Sequence, residues 1–301
     1  MLSIIICSRS TTLQNVFVEN ISKTVGVDYE IIPIDNSENL YSIFSAYNAG
    51  YEKSKYPYLC FVHEDVIFYT PNWGEKVITH LQNTETGIIG LAGVDLVTRV
   101  PAVWSSIFNP LMNVIQSDKN GKEPTIHVQK PPSYNELRHS TITLDGVFLC
   151  MRRELMLKIH FDQNLKGFHG YDYDITMQAV MQGYQNYVIY NILIEHLSRG
   201  KTDIHYFRNL IQIFKKFENH LPIIGNSVTQ KERDDIMETE QKMLYKLIKK
   251  MVRKGFDVEE IKSEIIYFAN IINFKRAARF LRIRIFFIRL FNVPKHLKKG
   301  F

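Results

Sequence analysis

The sequence predicts an α/β protein, with a mostly parallel sheet flanked by helices and followed by a C-terminal helical module. Strand and helix patterns alternate over the first two hundred residues, which favours a parallel sheet with right-handed crossovers. After about Asn209 the pattern changes to helices alone. The 301-residue length and ordinary globular composition, 45% apolar and 23% charged, fit one large α/β domain with an appendage. We therefore expect two domains, residues 1–209 and residues 210–301.

The elements of the first domain follow from the spacing of apolar residues. β-prone apolar runs predict strands, and apolar residues at helical spacing predict helices. The predicted strands are residues 3–7, 29–34, 58–62, 86–94, 142–151 and 189–194. The predicted helices are residues 11–25, 40–55 and 176–182. Asp145-Gly146 interrupts the fifth strand, and the third is apolar on both faces, as expected of a central strand covered by helices.

Residues 98–140 predict a long insertion between the fourth and fifth strands. Five prolines make it irregular, and Asn120-Gly121 favours the turn of a small hairpin between residues 114–115 and 126–128. Insertions of this length are usually functional or mobile. Beyond the first domain, helices are predicted at residues 210–219, 230–254 and 258–292.

Charge and cysteine content narrow the functional classes. The net charge of +6 comes from the tail, because nine Lys and Arg residues and no acidic residue follow Phe274. Residues 1–274 carry about −3, so a nucleic-acid-binding surface along the body is not indicated. The three cysteines, odd in number and at no metal spacing, indicate reduced core thiols of a cytoplasmic protein. We expect no secretion signal after Met1, and no membrane span, which needs roughly 20 consecutive apolar residues.

The most informative segment is His63-Glu64-Asp65, which directly follows the third strand. In such sheets ligands bind at the carboxyl ends of the strands, so these side chains lie where a ligand would. Because neighbouring side chains alternate, we expect two to face the crevice and the middle one to turn toward the body of the protein. Imidazole and carboxylate ligands suit Mg²⁺ or Mn²⁺ carrying phosphate better than a closed zinc site. The alternative is that polar residues simply end the strand.

Polar clusters recur at equivalent places earlier in the chain. Cys7-Ser8-Arg9-Ser10 follows the first strand, Asp35-Asn36-Ser37 follows the second, and Asn48-Ala49-Gly50 lies in or just after the second helix. At the ends of parallel strands such side chains can contact a base or a ribose. Taken singly, each cluster is also typical of a turn or a helix cap.

Two further clusters lie downstream. Asp172 and Asp174 precede an apolar helix, and a carboxylate at a helix start interacts favourably with the helix dipole. A carboxylate that is not needed to stabilise the helix start, and that lies beside a pocket, could act as a general base. Glu195-His196 ends the last predicted strand, where an imidazole can complete a metal shell.

Together these segments resemble a family 2 glycosyltransferase of the A-type nucleotide-sugar fold, whose Rossmann-like sheet is flanked by helices. The resemblance covers residues 1 to about 205 and depends on the order and spacing of the segments. The segments that carry it are Ile4-Ile5-Ile6-Cys7-Ser8-Arg9, Pro33-Ile34-Asp35-Asn36-Ser37, Tyr47-Asn48-Ala49-Gly50, Phe61-Val62-His63-Glu64-Asp65-Val66, Leu144-Asp145-Gly146, Gly170-Tyr171-Asp172-Tyr173-Asp174 and Glu195-His196.

The resemblance implies roles for individual residues. Asp172 matches the catalytic base, and Asp65 matches the last carboxylate of the family's Asp-x-Asp motif, which binds Mn²⁺ or Mg²⁺ on the donor diphosphate. The implied metal ligands are Asp65, His196 and His63, the last in place of the motif's first aspartate. The implied supporting residues are Asp174 for the adjoining helix, and Asp145 and Gly146 beside the donor sugar. The implied nucleotide-sugar contacts are Cys7, Ser8, Arg9, Asp35, Asn36, Asn48 and Glu64.

The implied function is inverting transfer of a sugar from a nucleoside-diphosphate sugar to a hydroxyl of a glycan or lipid-linked precursor in cell-surface polysaccharide synthesis. Because the sequence lacks the Gln-x-x-Arg-Trp segment of processive synthases, one sugar is added per event. Two alternatives stay open. A sugar nucleotidyltransferase shares a related sheet but usually has a glycine-rich loop after the first strand, and residues 7–12 contain no glycine. A non-catalytic sugar-nucleotide or glycan-binding protein is suggested by His63 in the metal motif.

Two predictions concern the acceptor. Trp104 is a candidate acceptor contact because aromatic faces pack on sugar rings; alternatively it anchors the insertion in the core. Residues 274–291 combine apolar residues with five arginines and Lys275, as in an interfacial helix on anionic lipid. The alternative is a helix packed on the body with a solvated basic face. A lipid-linked acceptor would place this cytoplasmic protein at the inner face of the membrane.

Overall fold

A computed structural model describes residues 1–103, 110–117, 125–128, 137–198 and 202–274. Within these ranges the chain forms fifteen β-strands and eight α-helices. The strands are β1 Leu2–Ser8, β2 Tyr29–Asp35, β3 Tyr58–Val62, β4 Val66–Phe68, β5 Thr86–Gly90, β6 Ala92–Val94, β7 Leu96–Val97, β8 Leu111–Gln116, β9 Thr125–Val128, β10 Arg138–Thr141, β11 Thr143–Leu144, β12 Phe148–Arg152, β13 Gln185–Ile189, β14 Ile194–His196 and β15 Ile223–Ile224. The helices are α1 Asn15–Thr24, α2 Ile43–Lys53, α3 Trp73–Leu81, α4 Tyr171–Met181, α5 Ile204–Lys216, α6 Gln230–Asp234, α7 Ile236–Arg253 and α8 Val258–Ile271.

The main sheet has seven strands in the order β10-β13-β5-β12-β3-β1-β2. Five of them run in one direction, and only β12 and β10 are antiparallel to their neighbours. The carboxyl ends of β2, β1 and β3 therefore lie at one edge, with Ser8 opposite Asp35. Since β12 runs the other way, its start lies at this same edge, opposite Val62. The predicted α/β class with a mostly parallel sheet is confirmed.

Helices cover both faces of the main sheet because β1 presents apolar side chains on both sides. Ile4 and Ile6 belong to the buried cluster that includes residues of α1 and α3. Ile5 belongs to the other cluster, with residues of α2 and α4. A glycine, Gly50 of α2, faces Ile5 so closely that a Cβ would lie 2.2 Å from its Cγ2. Helix α2 and strand β1 therefore pack closely against each other.

A second sheet has the order β11-β6-β8-β14-β4, with β9 paired to β8. The antiparallel pairing of β8 with β9 confirms the predicted hairpin, whose turn lies outside the described residues. In this sheet β14 lies between β4 and β8, so that His196 is opposite both Val66 and Gln116. The insertion thus supplies the strand beside the histidine that ends β14.

Three predicted strands divide where the chain passes between the two sheets. Residues 86–94 form β5 in the main sheet and β6 in the second, and residues 142–151 form β11 and β12, with the predicted break at Asp145-Gly146. The single strand predicted at 189–194 is wrong. The main-sheet strand β13 ends at Ile189, and β14 of the second sheet begins at Ile194. One straight strand cannot serve two sheets, and an apolar run alone does not show the change of sheet.

Helix starts also differ from the predictions. Helix α1 begins at Asn15 rather than residue 11, after an extended Gln14, so the hydroxyl residues before it belong to a loop. Helix α2 begins at Ile43 rather than residue 40, because Ser42 caps it by accepting from the Ser45 N–H. The predicted helix 230–254 forms α6 and α7, and the last predicted helix is described only as α8 and the residues up to Phe274.

The C-terminal helices pack directly on the α/β body. Leu247 of α7 and Phe268 of α8 belong to the same buried cluster as Ile5 of the main sheet. Glu240, which has no exposed surface, accepts hydrogen bonds from the backbone and guanidinium of Arg99 at the start of the insertion. The predicted domain division after residue 209 falls inside α5 and stays a prediction. Among the described residues, no helix combines the length and the apolar character that crossing a bilayer requires.

Candidate active site

The candidate site lies where the chain passes between the two sheets. His63, Glu64 and Asp65 connect β3 with β4, and Asp145 and Gly146 connect β11 with β12. The first turn of α4 and the end of β14 lie at the same place, as their contacts below show. Residues that are far apart in the sequence are thus brought together at this junction between the two sheets, which we call the seam.

Three side chains converge on one point at this seam. One donor atom from each of His63, Asp65 and His196 lies within 4.8 Å of the others. His196 Nε2 is 3.4 Å from His63 Nδ1 and 3.4 Å from Asp65 Oδ1. Glu64 turns away, as side-chain alternation predicts, and its carboxylate contacts the Ser8 hydroxyl at 2.8 Å. The structure therefore groups the three residues predicted as metal ligands.

Each histidine of this cluster is oriented through its other ring nitrogen. His63 Nε2 is 2.8 Å from the Tyr171 hydroxyl, and His196 Nδ1 is 3.3 Å from Gln116 Oε1. The Gln116 amide donates through Nε2 to carbonyl oxygens, so its Oε1 accepts and His196 Nδ1 donates. His196 Nε2 is left facing His63 and Asp65. Outer contacts of this kind are typical of metal-ligating histidines.

The donor set fits a divalent cation. Imidazole nitrogens and a carboxylate that present electron pairs to one another repel unless a proton or a cation lies between them. Burial lowers the pKa of His63 to about 4, which keeps this imidazole neutral at pH 7. Burial alone would raise the pKa of Asp65, but the neighbouring His196 and Ser198 hold it well below its usual range. Mixed imidazole and carboxylate donors suit Mn²⁺ better than Mg²⁺.

Asp172 lies in the first turn of α4, beside the Asp145-Gly146 connection. Its Oδ2 accepts from the Gly146 N–H at 3.2 Å, and its Oδ1 accepts from the Tyr173 N–H at 2.9 Å. Burial and the Asp145 charge raise the pKa of Asp172 to about 7, although these N–H groups act to lower it. A carboxylate with a pKa near the working pH is suited to take a proton.

Asp174, two residues further along the first turn of α4, has a different environment. It is fully buried, and it accepts from Lys216 Nζ of α5 at 2.6 Å and from Gln178 Nε2 at 2.7 Å. Asp145 Oδ1 accepts from the Val147 N–H at 3.0 Å, which fixes the turn before β12. Asp174 therefore joins α4 to α5, while Asp172 is the carboxylate that faces the seam.

The predicted nucleoside contacts lie at the ends of β1 and β2. The Arg9 N–H donates to Glu64, which joins the loops after β1 and β3. Asp35 is exposed and accepts from the Ser37 N–H at 2.9 Å, whereas Asn36 is buried and bonds the Tyr41 backbone through both ends of its amide. Burial raises the pKa of the Cys7 thiol to about 11, so this half-buried side chain is not reactive.

Two predicted ligand contacts, Asn48 and Trp104, stay predictions. Asn48 uses its amide to bond the backbone N–H and carbonyl of Phe161, at 3.2 and 2.8 Å, and so holds that segment against α2. Its contact with a nucleotide sugar stays a prediction beside this structural task. Trp104 lies outside the described residues, so its role with the acceptor also stays a prediction.

Two residues of the site were not identified from the sequence. Gln116 reaches His196 only because β8 of the insertion pairs with β14. Tyr206 of α5 has its ring 5.4 Å from that of His169, and burial together with the charges of Asp172 and Asp145 raises the pKa of its phenol. Tyr206 therefore lies on the α5 side of the candidate base. Gln116 opens a polar run at the end of β8 and Tyr206 belongs to none, but only the tertiary fold brings either residue to the site.

Comparison with protein families shows which family this sequence belongs to. Residues 3–200 match the model of a glycosyltransferase-like family. The chain belongs to this family. The predicted glycosyltransferase class is thereby confirmed, and the match covers the whole seam, from β1 through β14.

Solved structures and curated proteins were also compared with this glycosyltransferase-like chain. GalNAc-T7, crystallised with UDP, GalNAc and Mn²⁺, is 13% identical with a TM-score of 0.49, covering 78% of this chain and 54% of that one. The chain thus spans about half the length of GalNAc-T7. A197 from STIV is 12% identical with a TM-score of 0.37, covering 66% of this chain and 86% of that one. No curated protein matches.

Proposed function

We propose that this protein is an inverting, non-processive glycosyltransferase that moves one sugar from a nucleoside-diphosphate sugar to a hydroxyl of a glycan or lipid-linked acceptor. The observation that carries the proposal is the pairing of Asp172, with its pKa raised to about 7, and the convergent His63, Asp65 and His196. The two groups lie on either side of Gly146 at the edge where parallel strands end. A base and a cation site side by side are what sugar transfer from a diphosphate requires.

The transfer proposed here is a direct displacement. The acceptor oxygen bonds the anomeric carbon as the bond from that carbon to the diphosphate oxygen breaks, so the configuration inverts. Asp172 takes the hydroxyl proton, and the electron pair of the broken bond leaves with the diphosphate. His63, Asp65 and His196 would hold a divalent cation, and the cation would supply positive charge to the departing diphosphate. The cation would be Mn²⁺ by preference, or Mg²⁺.

Other residues would bind and orient the donor. Asp145 and the Gly146 backbone lie between the cation site and the base, where the donor sugar would pass. Ser8, Asp35 and Asn36 lie at adjacent strand ends, and Glu64 joins the loops that carry them to β3. We propose that this edge holds the nucleoside, together with Cys7 and Arg9.

The test is release of nucleoside diphosphate from a panel of sugar nucleotides, with Mn²⁺ and an acceptor mixture present. Asp172→Asn should abolish transfer but retain donor binding, measured as thermal stabilisation by the donor, because an amide cannot take the proton. Glu52→Gln is the matched control: this exposed residue lies near the end of α2, which leads to the opposite edge of the sheet. Near-normal turnover by Asp172→Asn would overturn the assignment of the base.

The same assay separates the alternative functions. A nucleotidyltransferase would release pyrophosphate from a nucleoside triphosphate and a sugar phosphate, and would release no nucleoside diphosphate. A non-catalytic binding protein would be stabilised by sugar nucleotides without consuming them. The family match favours transfer over both, because residues 3–200 belong to a glycosyltransferase-like family.

We further propose that the acceptor is presented at the inner face of a membrane. The support is the sequence of residues 275–301, which lie outside the described residues and carry nine Lys and Arg residues with no acidic residue. Full-length protein should float with liposomes containing anionic lipid and release from them as salt rises. Replacing the five arginines of the tail with glutamine should abolish flotation. Equal flotation of both proteins would contradict the proposal.

A further inference from the structure

The hydroxyl of Tyr171 lies between the two halves of the candidate site. Its oxygen is 2.8 Å from His63 Nε2 and 2.9 Å from the carbonyl oxygen of Gly146. Tyr171 is buried in the first turn of α4, immediately before Asp172. A single phenol thus contacts a proposed metal ligand and the connection that lies against the proposed base.

The Gly146 carbonyl determines the direction of both hydrogen bonds. A carbonyl oxygen only accepts, and a tyrosine hydroxyl has one hydrogen to donate. With that hydrogen directed to Gly146, the Tyr171 oxygen accepts from the N–H at His63 Nε2. The proton of the neutral His63 ring is then on Nε2, and the lone pair is on Nδ1. Nδ1 is the nitrogen that faces His196.

Gly146 is the residue that makes this arrangement possible. A Cβ at this position would lie 2.1 Å from the Tyr171 oxygen, far inside van der Waals contact. The N–H of the same glycine donates to Asp172 Oδ2 at 3.2 Å. Its carbonyl therefore orients the phenol that contacts His63, while its N–H holds the proposed base.

We propose that Tyr171 is a positioning residue that holds His63 in the Nε2–H tautomer and thereby prepares Nδ1 to bind a divalent cation. The proposal rests on the proposed function for the use of that cation. The new element is that Tyr171, which is not itself a metal ligand, sets the affinity of the site for the cation. Loss of such an outer contact typically weakens metal binding by about 10- to 100-fold.

The test compares Tyr171→Phe with Tyr173→Phe. Tyr173 is a matched control because its buried hydroxyl, on the same helix, donates to the Ala102 carbonyl at 3.0 Å and has no contact with His63. Side-chain ¹⁵N chemical shifts of His63, assigned with a His63→Gln variant, report the tautomer without metal. Electron paramagnetic resonance of free Mn²⁺ reports the Kd.

We expect the unmutated protein and Tyr173→Phe to show the Nε2–H tautomer, and Tyr171→Phe to show a mixture with a Kd for Mn²⁺ about 10- to 100-fold higher. Gly146→Ala should reproduce the Tyr171→Phe spectrum although it keeps the hydroxyl, because the added methyl group displaces the phenol. An unchanged tautomer and Kd in Tyr171→Phe would overturn the proposal. If the unmutated protein bound no Mn²⁺, the cation in the proposed function would be contradicted, while the ¹⁵N shifts would still decide whether Tyr171 sets the tautomer.

Discussion

The metal corner of the site, formed by His63, Asp65 and His196, and the nucleoside corner, formed by Ser8, Asp35 and Asn36, hold their side chains in different ways. In the metal corner the outer contacts come from distant segments, since Tyr171 orients His63 and Gln116 orients His196. In the nucleoside corner Asp35 and Asn36 bond their own loop, through Ser37 and Tyr41, while Ser8 bonds the distant Glu64.

This difference predicts how substitutions will act. Side chains of the metal corner point at one another, and only Ser198 is a further hydrogen-bond partner that we identify for the Asp65 carboxylate among the described residues. Replacing them should remove ligand binding at little cost in folding. Side chains of the nucleoside corner also shape the loops that carry them, so replacing them should first loosen the loop and only then weaken donor binding.

The largest expected effect is at Asp65. Asp65→Asn keeps the shape of the side chain but removes the only carboxylate among the three convergent donors. We expect Mn²⁺ binding to be lost and transfer to fall about a thousandfold, because the departing diphosphate loses its neutralising charge. Titration calorimetry with Mn²⁺ and the nucleoside-diphosphate assay measure the two losses, and the melting temperature should change little.

The adjacent carboxylate provides the contrast for this prediction. Glu64→Gln lies one residue away but contacts Ser8 and Arg9, so it should retain Mn²⁺ binding while weakening donor affinity. Equal loss of Mn²⁺ binding in both variants would show that the corners are not separate. Full activity of the unmutated protein in a chelator would show that the donor is neutralised without a metal.

An intermediate effect is expected in the pH dependence of stability. Asp172 has a pKa of about 7 in the folded protein, above the ordinary value of 3.8. The folded protein therefore holds this proton more tightly, so its stability falls as pH rises from about 4 to 7 and is constant above that. The free energy of unfolding that is lost over this pH range is on the order of 4 kcal/mol. Asp172→Asn removes this pH-dependent loss of stability, but it also loses one of the two hydrogen bonds that the carboxylate accepts.

The measurement is urea unfolding of both proteins at pH 5 and pH 8. Groups distant from Asp172 titrate equally in the two proteins, so the difference between their pH slopes reports Asp172 together with Asp145, whose charge acts on it. We expect the unmutated protein to lose more free energy of unfolding between these pH values than Asp172→Asn does. Parallel slopes would mean that the carboxylate is not held at a raised pKa.

Much of the fold was predictable because it depends on local patterns. The strand at residues 58–62 has the predicted bounds, and the break at Asp145-Gly146 was visible as polar residues within an apolar run. The splitting of residues 189–194 between two sheets was not predictable, because both halves are equally β-prone. Strands β4 and β7 are short, and their existence depends on partners that come much later in the chain.

The residues of the site also fall into those that the sequence predicted and those that it could not. Strand ends and the helix start identified His63, Asp65, His196 and Asp172 as candidates, since each is a polar residue where an apolar element stops or begins. Gln116 and the contact of Tyr171 with His63 could not be predicted, because they depend on which strand of the insertion pairs with β14 and on which way a phenol turns. Outer contacts to a site arise from tertiary pairing, and local periodicity does not encode them.

The smallest expected effect lies in the nucleoside corner. Asn36→Ala removes a buried amide that donates to the Tyr41 carbonyl at 2.9 Å and accepts from the Tyr41 N–H at 2.8 Å. We expect the free energy of unfolding to fall by about 1–3 kcal/mol, because those backbone groups lose their partners. The KM for the donor should rise severalfold while the Kd for Mn²⁺ without donor is unchanged. Glu38→Ala, an exposed change in the same loop, is the control and should alter neither quantity. If Asn36→Ala weakened Mn²⁺ binding as strongly as donor binding, the loop after β2 would be coupled to the metal corner, and the two corners would form one cooperative unit.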